Sequence, residues 1–359
     1  MRTATTVEGS ANPGWRAVAD YVVEAERIGL DVCWVAEAWG SDAASALGFY
    51  AARTERMLLG SGVFQIGTRS PVLIAQTAIT LSNMSGGRFL LGLGASGPQV
   101  IEGLHGVPFD RPLTRMRETV EIVRHVTAGS DKVRYSGAHF QIPLEGEAKP
   151  MRLSTAAEHT IPIYLATLSP RMLELTGEVA DGWLGTSFVP EGSDAYFKHL
   201  DRGLTLSRRD RDDLDICQGA EVSFARDDDE LARLVAARKP ELAFSLGGMG
   251  SANTNFYNRA YSRQGWSEVA ATVRDRWQSG DRAGAVAAVT DDMVLATTLI
   301  GTEPMIRQRL RVWAQAGVDT VRFYPAGETI DQKIATLARA VEIVHELNRE
   351  AEQPAVVAG

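Results

Sequence analysis

The sequence predicts a (β/α)8 barrel, an α/β fold in which parallel strands each lead into a helix. Two observations carry this. Strand-like and helix-like runs alternate almost from the first residue, and eight strand-like runs stand at Arg2–Glu8, Asp31–Ala36, Met57–Ile66, Arg88–Leu93, Ile161–Ala166, Asp181–Thr186, Leu214–Phe224 and Val318–Tyr324. A doubly wound open sheet uses the same alternation with fewer strands and is the competing architecture. At 359 residues, 45% apolar and 23% charged, the chain can bury a large core and suits one elaborated α/β domain or two ordinary ones.

Taken in order, the first strand, "RTATTVE", is unusually polar for a barrel strand, and Gly14–Arg27 follows it with apolar residues at three- and four-residue spacing. The same spacing marks Pro71–Met84, Thr114–Thr127, Pro170–Val179 and Glu303–Ala316 as amphipathic helices. Two insertions interrupt the alternation. "DKVRYSGAHFQIPLEGEAKP", from Asp131, reads as a hairpin around Ser136-Gly137, with the loop to Thr160 expected over the barrel mouth. The second, from Asp227 to about Ile300, is mostly helical and surrounds "SLGGMGSANTNFYNRAYSRQGW". Neither has linker composition. Residues 1–350 therefore read as one barrel domain with insertions at about 131–160 and 227–300 on its C-terminal face, and 351–359 as a frayed tail.

Charge and composition exclude several function classes. A formal charge of −8 with scattered arginines leaves no basic field for nucleic acid. No apolar stretch approaches a membrane span and the N-terminus has no apolar signal core, so a cytoplasmic protein is expected. Cys33 and Cys217 stand far apart in apolar strand-like stretches, as buried structural thiols do. No histidine pair has metal spacing and neither H-E-x-x-H nor G-x-S-x-G occurs, so no metal is expected.

The run "MSGGRFLLGLGASGPQVIEG", Met84 to Gly103, sets a trap. Gly92, Gly94 and Gly97 satisfy G-x-G-x-x-G directly after a strand, the pattern of a dinucleotide site. Pro98 follows the last glycine, however, and the chain stays glycine-punctuated to Gly106, whereas a dinucleotide fingerprint opens a helix with a small residue packed on the strand. The glycines license something narrower: a backbone that turns at a strand end and approaches a flat or anionic ligand.

Strand ends supply the other candidates, because a barrel delivers its active side chains there. Glu37, Trp39 and Asp42 follow the second strand, and a semi-buried carboxylate beside an aromatic ring can trade protons with a substrate. The plainer alternative is that Glu37 caps the next helix and Trp39 packs on the rim. Gln65 and Arg69 lie beyond the third strand and could face a substrate or an anionic tail. "ATLSPR", Ala166 to Arg171, brings hydroxyls and a Pro-initiated helix whose free amides attract anions, although Ser-Pro is also a routine cap. His105 and His139 fall in loops expected near the mouth. "GGMG" with Asn253, Asn255 and Tyr257 either lines a pocket or packs helices tightly.

Four segments together resemble the luciferase-like family of barrel enzymes, and within it the branch that uses the deazaflavin coenzyme F420: "AEAWGSDAASALGFYAARTERMLLGSGVFQIGTRSP", "SGGRFLLGLGASGPQVIEGLHGVPFDRPLTRMRE", "IPIYLATLSPRMLELTGEVADGW" and "LAFSLGGMGSANTNFYNRAYSRQGW". The resemblance implies an oxidoreductase with F420 at the C-terminal face, hydride transfer at C5, a small-molecule or peptide substrate, and a homodimer. It implies Glu37 and Trp39 at the reacting face. A cis peptide between Gly62 and Val63 is implied to support the ring, with Ala95, Ser96 and Gly97 lining the cofactor and Ala166, Thr167, Leu168 and Ser169 holding its phosphate. An FMN-dependent monooxygenase of the same family is the alternative, and a barrel that survives as a binding subunit is a second.

Overall fold

The computed structural model describes residues 1–8, 14–129, 131–250 and 255–352. Eight parallel strands form a closed ring: β1 Arg2–Glu8, β2 Val32–Ala36, β3 Leu58–Ser61, β4 Phe89–Gly94, β5 Ile163–Ala166, β6 Gly182–Leu184, β7 Asp215–Phe224 and β8 Thr320–Pro325. Closure is read from the register. Ala4 of β1 faces both Val32 of β2 and Arg322 of β8, while Asp215 of β7 faces Gly182 of β6. The competing open sheet is thereby excluded.

Alternation along each strand makes two cores. Val35, Leu59, Leu91, Leu165, Val222 and Phe323 point outward under the helices, whereas Ala4, Val32, Trp34, Leu90, Tyr164, Leu184 and Cys217 fill the barrel. The polar first strand is spent inside this scheme. Arg2 Nη2 pairs with Asp215 at 2.8 Å, Thr3 Oγ1 donates to Asp31 Oδ2 at 2.9 Å, and Thr5 Oγ1 donates to the Phe323 carbonyl at 2.9 Å. Cys33 and Cys217 are buried free thiols, and burial pushes both up to about 12.

Two expectations need correction. The hairpin forms, with Tyr135 opposite Ile142 and Ser136 opposite Gln141, but it lies along the helix Pro112–Ala128, whose Glu118 accepts from the Ala138, His139 and Phe140 amides. The returning loop passes to the amino-terminal end of the barrel: Asn83 donates to the Ala156 carbonyl and accepts from the Glu158 amide, and His159 stands against Gly87. It runs there because the chain must reach the start of β5, at the foot of the barrel. Pro98, in turn, does open a helix, of one turn, Pro98–Ile101, because proline suits a first helical position where no amide is needed.

The second insertion leaves the carboxyl end of β7 and runs through helices Asp228–Gly247, Phe256–Tyr261, Ser267–Gln278, Arg282–Ala287 and Asp291–Thr297. Val235, Leu242, Leu246, Val273, Met293 and Val294 bury a cluster of its own. A short strand, Leu299–Gly301, then rejoins the end of β7 through Val222–Phe224. The last helix, Ile330–Glu352, takes in the first two residues expected in the tail; residues 353–359 lie outside the described residues.

Candidate active site

All the candidate strand ends open on one face. On the β2–β3 side, Glu37 is a partnered group: its carboxylate accepts from the Ala43 amide at 2.9 Å and from Arg69 Nη2 at 3.0 Å and Nε at 3.3 Å. Arg69 also reaches Asp42, which caps the helix Ala43–Ala51 through the Ser45 amide, and lies 4.7 Å over the Phe64 ring. Glu37 and Arg69 side chains are only 11% and 16% exposed. Gln65 is buried and its Nε2 donates to the Ala38 carbonyl at 2.8 Å, so it clamps the loop that carries Glu37. Trp39 is 68% exposed on the rim. Helix anchoring, the plainer alternative for Glu37, is thus present in the geometry.

Between β3 and β4 the ladder is broken by one residue. Gly60 faces Leu90 and Phe64 faces Leu93, so Ser61, Gly62 and Val63 stand against Leu91 and Gly92 alone. The Gly62-Val63 peptide is cis. Ser61 Oγ replaces the missing ladder contacts, donating to the Gly92 carbonyl and accepting from the Gly92 amide, both at 2.9 Å. The bulge leans inward. A Cβ on Gly92 would meet the Ser61 carbonyl oxygen at 1.9 Å, and one on Gly94 would meet Val63 Cγ2 at 2.5 Å. The first two glycines of the G-x-G-x-x-G pattern therefore make room for β3 and not for a pyrophosphate. Ala95, Ser96 and Gly97 continue over the mouth, with Ser96 exposed in a left-handed conformation, φ 59°.

At the end of β5, Ala166 faces Gly94 across the floor. Thr167 is turned away: its hydroxyl bonds the Thr176 hydroxyl at 2.7 Å and its carbonyl accepts from Trp183 Nε1 at 2.9 Å. Ser169 stands at the start of helix Pro170–Val179 with no side-chain cap, which leaves its hydroxyl and the first amides without a partner among the described residues. Arg263, which the sequence reading missed, reaches this loop from the second insertion and donates to the Leu168 carbonyl at 2.7 Å. Its Nε has no partner among the described residues, and burial lowers its pKa. The kinked turn Ser262–Trp266, pinned by Gln264 to the Val189 amide and the Ser187 carbonyl, brings it there.

The β7–β8 wall was also missed. Glu221 faces inward beside Tyr324 and pairs with Arg238 at 2.9 Å, yet burial outweighs that arginine and raises its pKa. Arg322 is buried on the inner face of β8. Alternation along a strand predicts inward positions, but not which inward polar groups keep their partners. The remaining candidates lie elsewhere. His139 is tied through its amide to Glu118 on the outer flank, where burial followed by Arg115 lowers its pKa, and His105 is exposed. Gly247 and Gly248 pack against the helix Ser267–Gln278, since a Cβ would meet Trp277 Cβ at 2.4 Å and Trp277 Cζ2 at 2.9 Å. Asn255 caps the helix Phe256–Tyr261 and Tyr257 is within electrostatic reach of Tyr324, whereas Asn253 lies outside the described residues.

This is the mouth of a barrel enzyme with an inward bulge on one wall and, at the end of β5, an uncapped helix start beside Arg263. The family description "luciferase-like monooxygenase" matches residues 1–320, and the chain belongs to that family. It is 38% identical over 333 residues, covering 90% of this chain and 94% of the other, to a Mycobacterium tuberculosis protein provisionally named a coenzyme F420-dependent oxidoreductase. Identity is 30% over 302 residues, 84% of this chain and 87% of the relative, to the 5,10-methylenetetrahydromethanopterin reductase of Archaeoglobus fulgidus. The coenzyme F420-dependent tetrahydromethanopterin reductase of Methanopyrus kandleri has the same fold, with a TM-score of 0.76 at 22% identity over 96% of this chain and 99% of that one.

Proposed function

We propose that this chain is a coenzyme F420-dependent oxidoreductase that passes a hydride between the deazaflavin C5 and a small-molecule or peptide substrate, working as a reductase in a biosynthetic route. One observation carries the reading: the uncapped start of helix Pro170–Val179, with the Ser169 hydroxyl free and Arg263 beside it lacking a carboxylate partner among the described residues, fits an anionic tail. The F420-linked names of its relatives support it. Gly62 and Val63 would support the ring, Ala95, Ser96 and Gly97 would line it, and Ala166 to Ser169 would hold the phosphate. F420 supplies a two-electron hydride at carbon, where a flavin has N5, and so reacts poorly with oxygen.

This chain's own residues then have three tasks. Glu37, fixed by Arg69 and Ala43, holds the loop that presents Trp39 to the reacting face. Reducing a double bond consumes a proton as well as a hydride, and Glu221, whose burial favours its protonated form, faces the same mouth. Phe49, Leu73 and Met84 expose apolar surface on the helices Ala43–Ala51 and Pro71–Met84, which suits a homodimer. Fluorescence titration tests the cofactor: F420 should bind more tightly than FMN, and substrate should turn over without oxygen. Equal or tighter FMN binding with oxygen-dependent turnover overturns the assignment.

A further inference from the structure

Arg322 is 6% exposed and sits on the inner face of β8. Its side chain crosses β7 where Gly219 leaves space, since a Cβ there would lie 2.9 Å from Nη2 and 3.1 Å from Nε. At the far side Nη2 donates to the Gly185 carbonyl at 3.1 Å, just beyond β6, and the guanidinium stands 5.4 Å from the Tyr324 ring centre. Nε has no partner. The inward carboxylates of β7 are already taken, Asp215 by Arg2 and Glu221 by Arg238, so among the described residues no carboxylate pairs with Arg322. An arginine does not discharge itself by losing a proton, and a buried charge without a counter-charge weakens the fold. Such a group is kept where something outside the chain completes it.

Position says what completes it. In the closed ring, β7 lies four strands from β3, so the guanidinium lying over Gly219 faces the inward bulge from the opposite wall. A flat ring resting on Gly62 and Val63 turns its other face toward Arg322. On β1, adjacent to β8, the Thr6 hydroxyl is a buried polar atom with no partner among the described residues and lies one inward layer nearer the mouth than Ala4, the register partner of Arg322. We propose that Arg322 receives a carboxylate carried by the substrate, with Thr6 as a second donor, so that the enzyme acts on an anionic molecule held opposite the bulge. The planar fork suits a carboxylate, which can take parallel hydrogen bonds from Nε and a terminal nitrogen. The substrate side is assigned on the reading of the mouth as the F420 site; the anion site itself is not.

Benzoate and its uncharged isostere benzamide are the probes, titrated calorimetrically into the full chain with and without F420. The wild type should prefer benzoate at least tenfold, R322Q should lose that preference, and R322K, which keeps the charge without the fork and covers the case of an unfolded R322Q, should retain part of it. R322Q should leave F420 affinity within about twofold. Equal binding of the two probes, no benzoate binding, or an unchanged preference in R322Q overturns the proposal. Loss of F420 affinity in R322Q with the benzoate preference intact also overturns it, and assigns Arg322 to the cofactor. If the wild type binds no F420 but prefers benzoate, the cofactor reading falls while the anion site stands.

Discussion

Arg69 and Arg322 line the same mouth and are the same residue type, yet the fold treats them oppositely. Arg69 is saturated: Glu37 and Asp42 neutralise it, Phe64 lies beneath it, and the carboxylates it holds anchor the start of a helix. Arg322 is deeper and has one carbonyl partner, and its Nε is unpaired among the described residues. Arg263, beside Ser169, belongs with Arg322. A charge that the chain satisfies by itself builds the site; a charge left over is available to a ligand.

The comparison can be broken at several points. Glu221→Gln removes the carboxyl best placed to carry a proton and should lower turnover by about 10²–10⁴-fold in a steady-state assay, with F420 affinity little changed. Undiminished turnover would return the acid to the β2–β3 wall. Gly92→Ala forces a methyl onto the Ser61 carbonyl and should cost about 1–3 kcal/mol in urea unfolding, whereas the same change at Gly97, in open space, should cost less. If Glu37 belongs to the saturated wall, Glu37→Ala should destabilise by about 1–3 kcal/mol, because Arg69 keeps only the half-exposed Asp42. Loss of turnover without loss of stability would instead put Glu37 in the chemistry. Ser169→Glu, a carboxylate where an anion is expected, should weaken F420 binding by more than tenfold, about 1.4 kcal/mol.

The smallest effect is a pH slope. Burial raises Glu221 above its ordinary 4.5, so its contribution to stability is complete below that value and is lost as pH rises through the folded-state value. Stability measured against pH should fall over that window in the wild type and stay flat, by comparison, in Glu221→Gln. A parallel course for both proteins would mean that Arg238 holds the carboxylate ionised throughout.

Much of the fold was legible because barrel strands announce themselves by composition and position. Pro71–Met84 and Pro170–Val179 begin and end where the sequence places them, since proline marks the first helical position and the apolar spacing marks the face. The site was legible on the β3–β5 arc, where glycines and a Ser-Pro turn leave a local signature. It was not legible on the β7–β8 wall. Alternation within the predicted strands places Arg322 and Glu221 inward but does not say which partners they keep: Arg322 meets the Gly185 carbonyl, 137 residues away, and Glu221 meets Arg238 on the second insertion. The loop to Thr160 went astray for a related reason, as its anchors Asn83 and Gly87 lie more than seventy residues earlier in the chain.

A crystal structure of the chain with F420 bound tests the central claim directly. The account predicts the phosphodiester within hydrogen-bonding distance of the Ser169 hydroxyl and Arg263, the ring against Gly62 and Val63, and the Arg322 guanidinium on the ring's far side. A phosphodiester held instead by Arg69 and the β2–β3 rim would contradict it, because an arginine the fold had already neutralised would then be the one that binds.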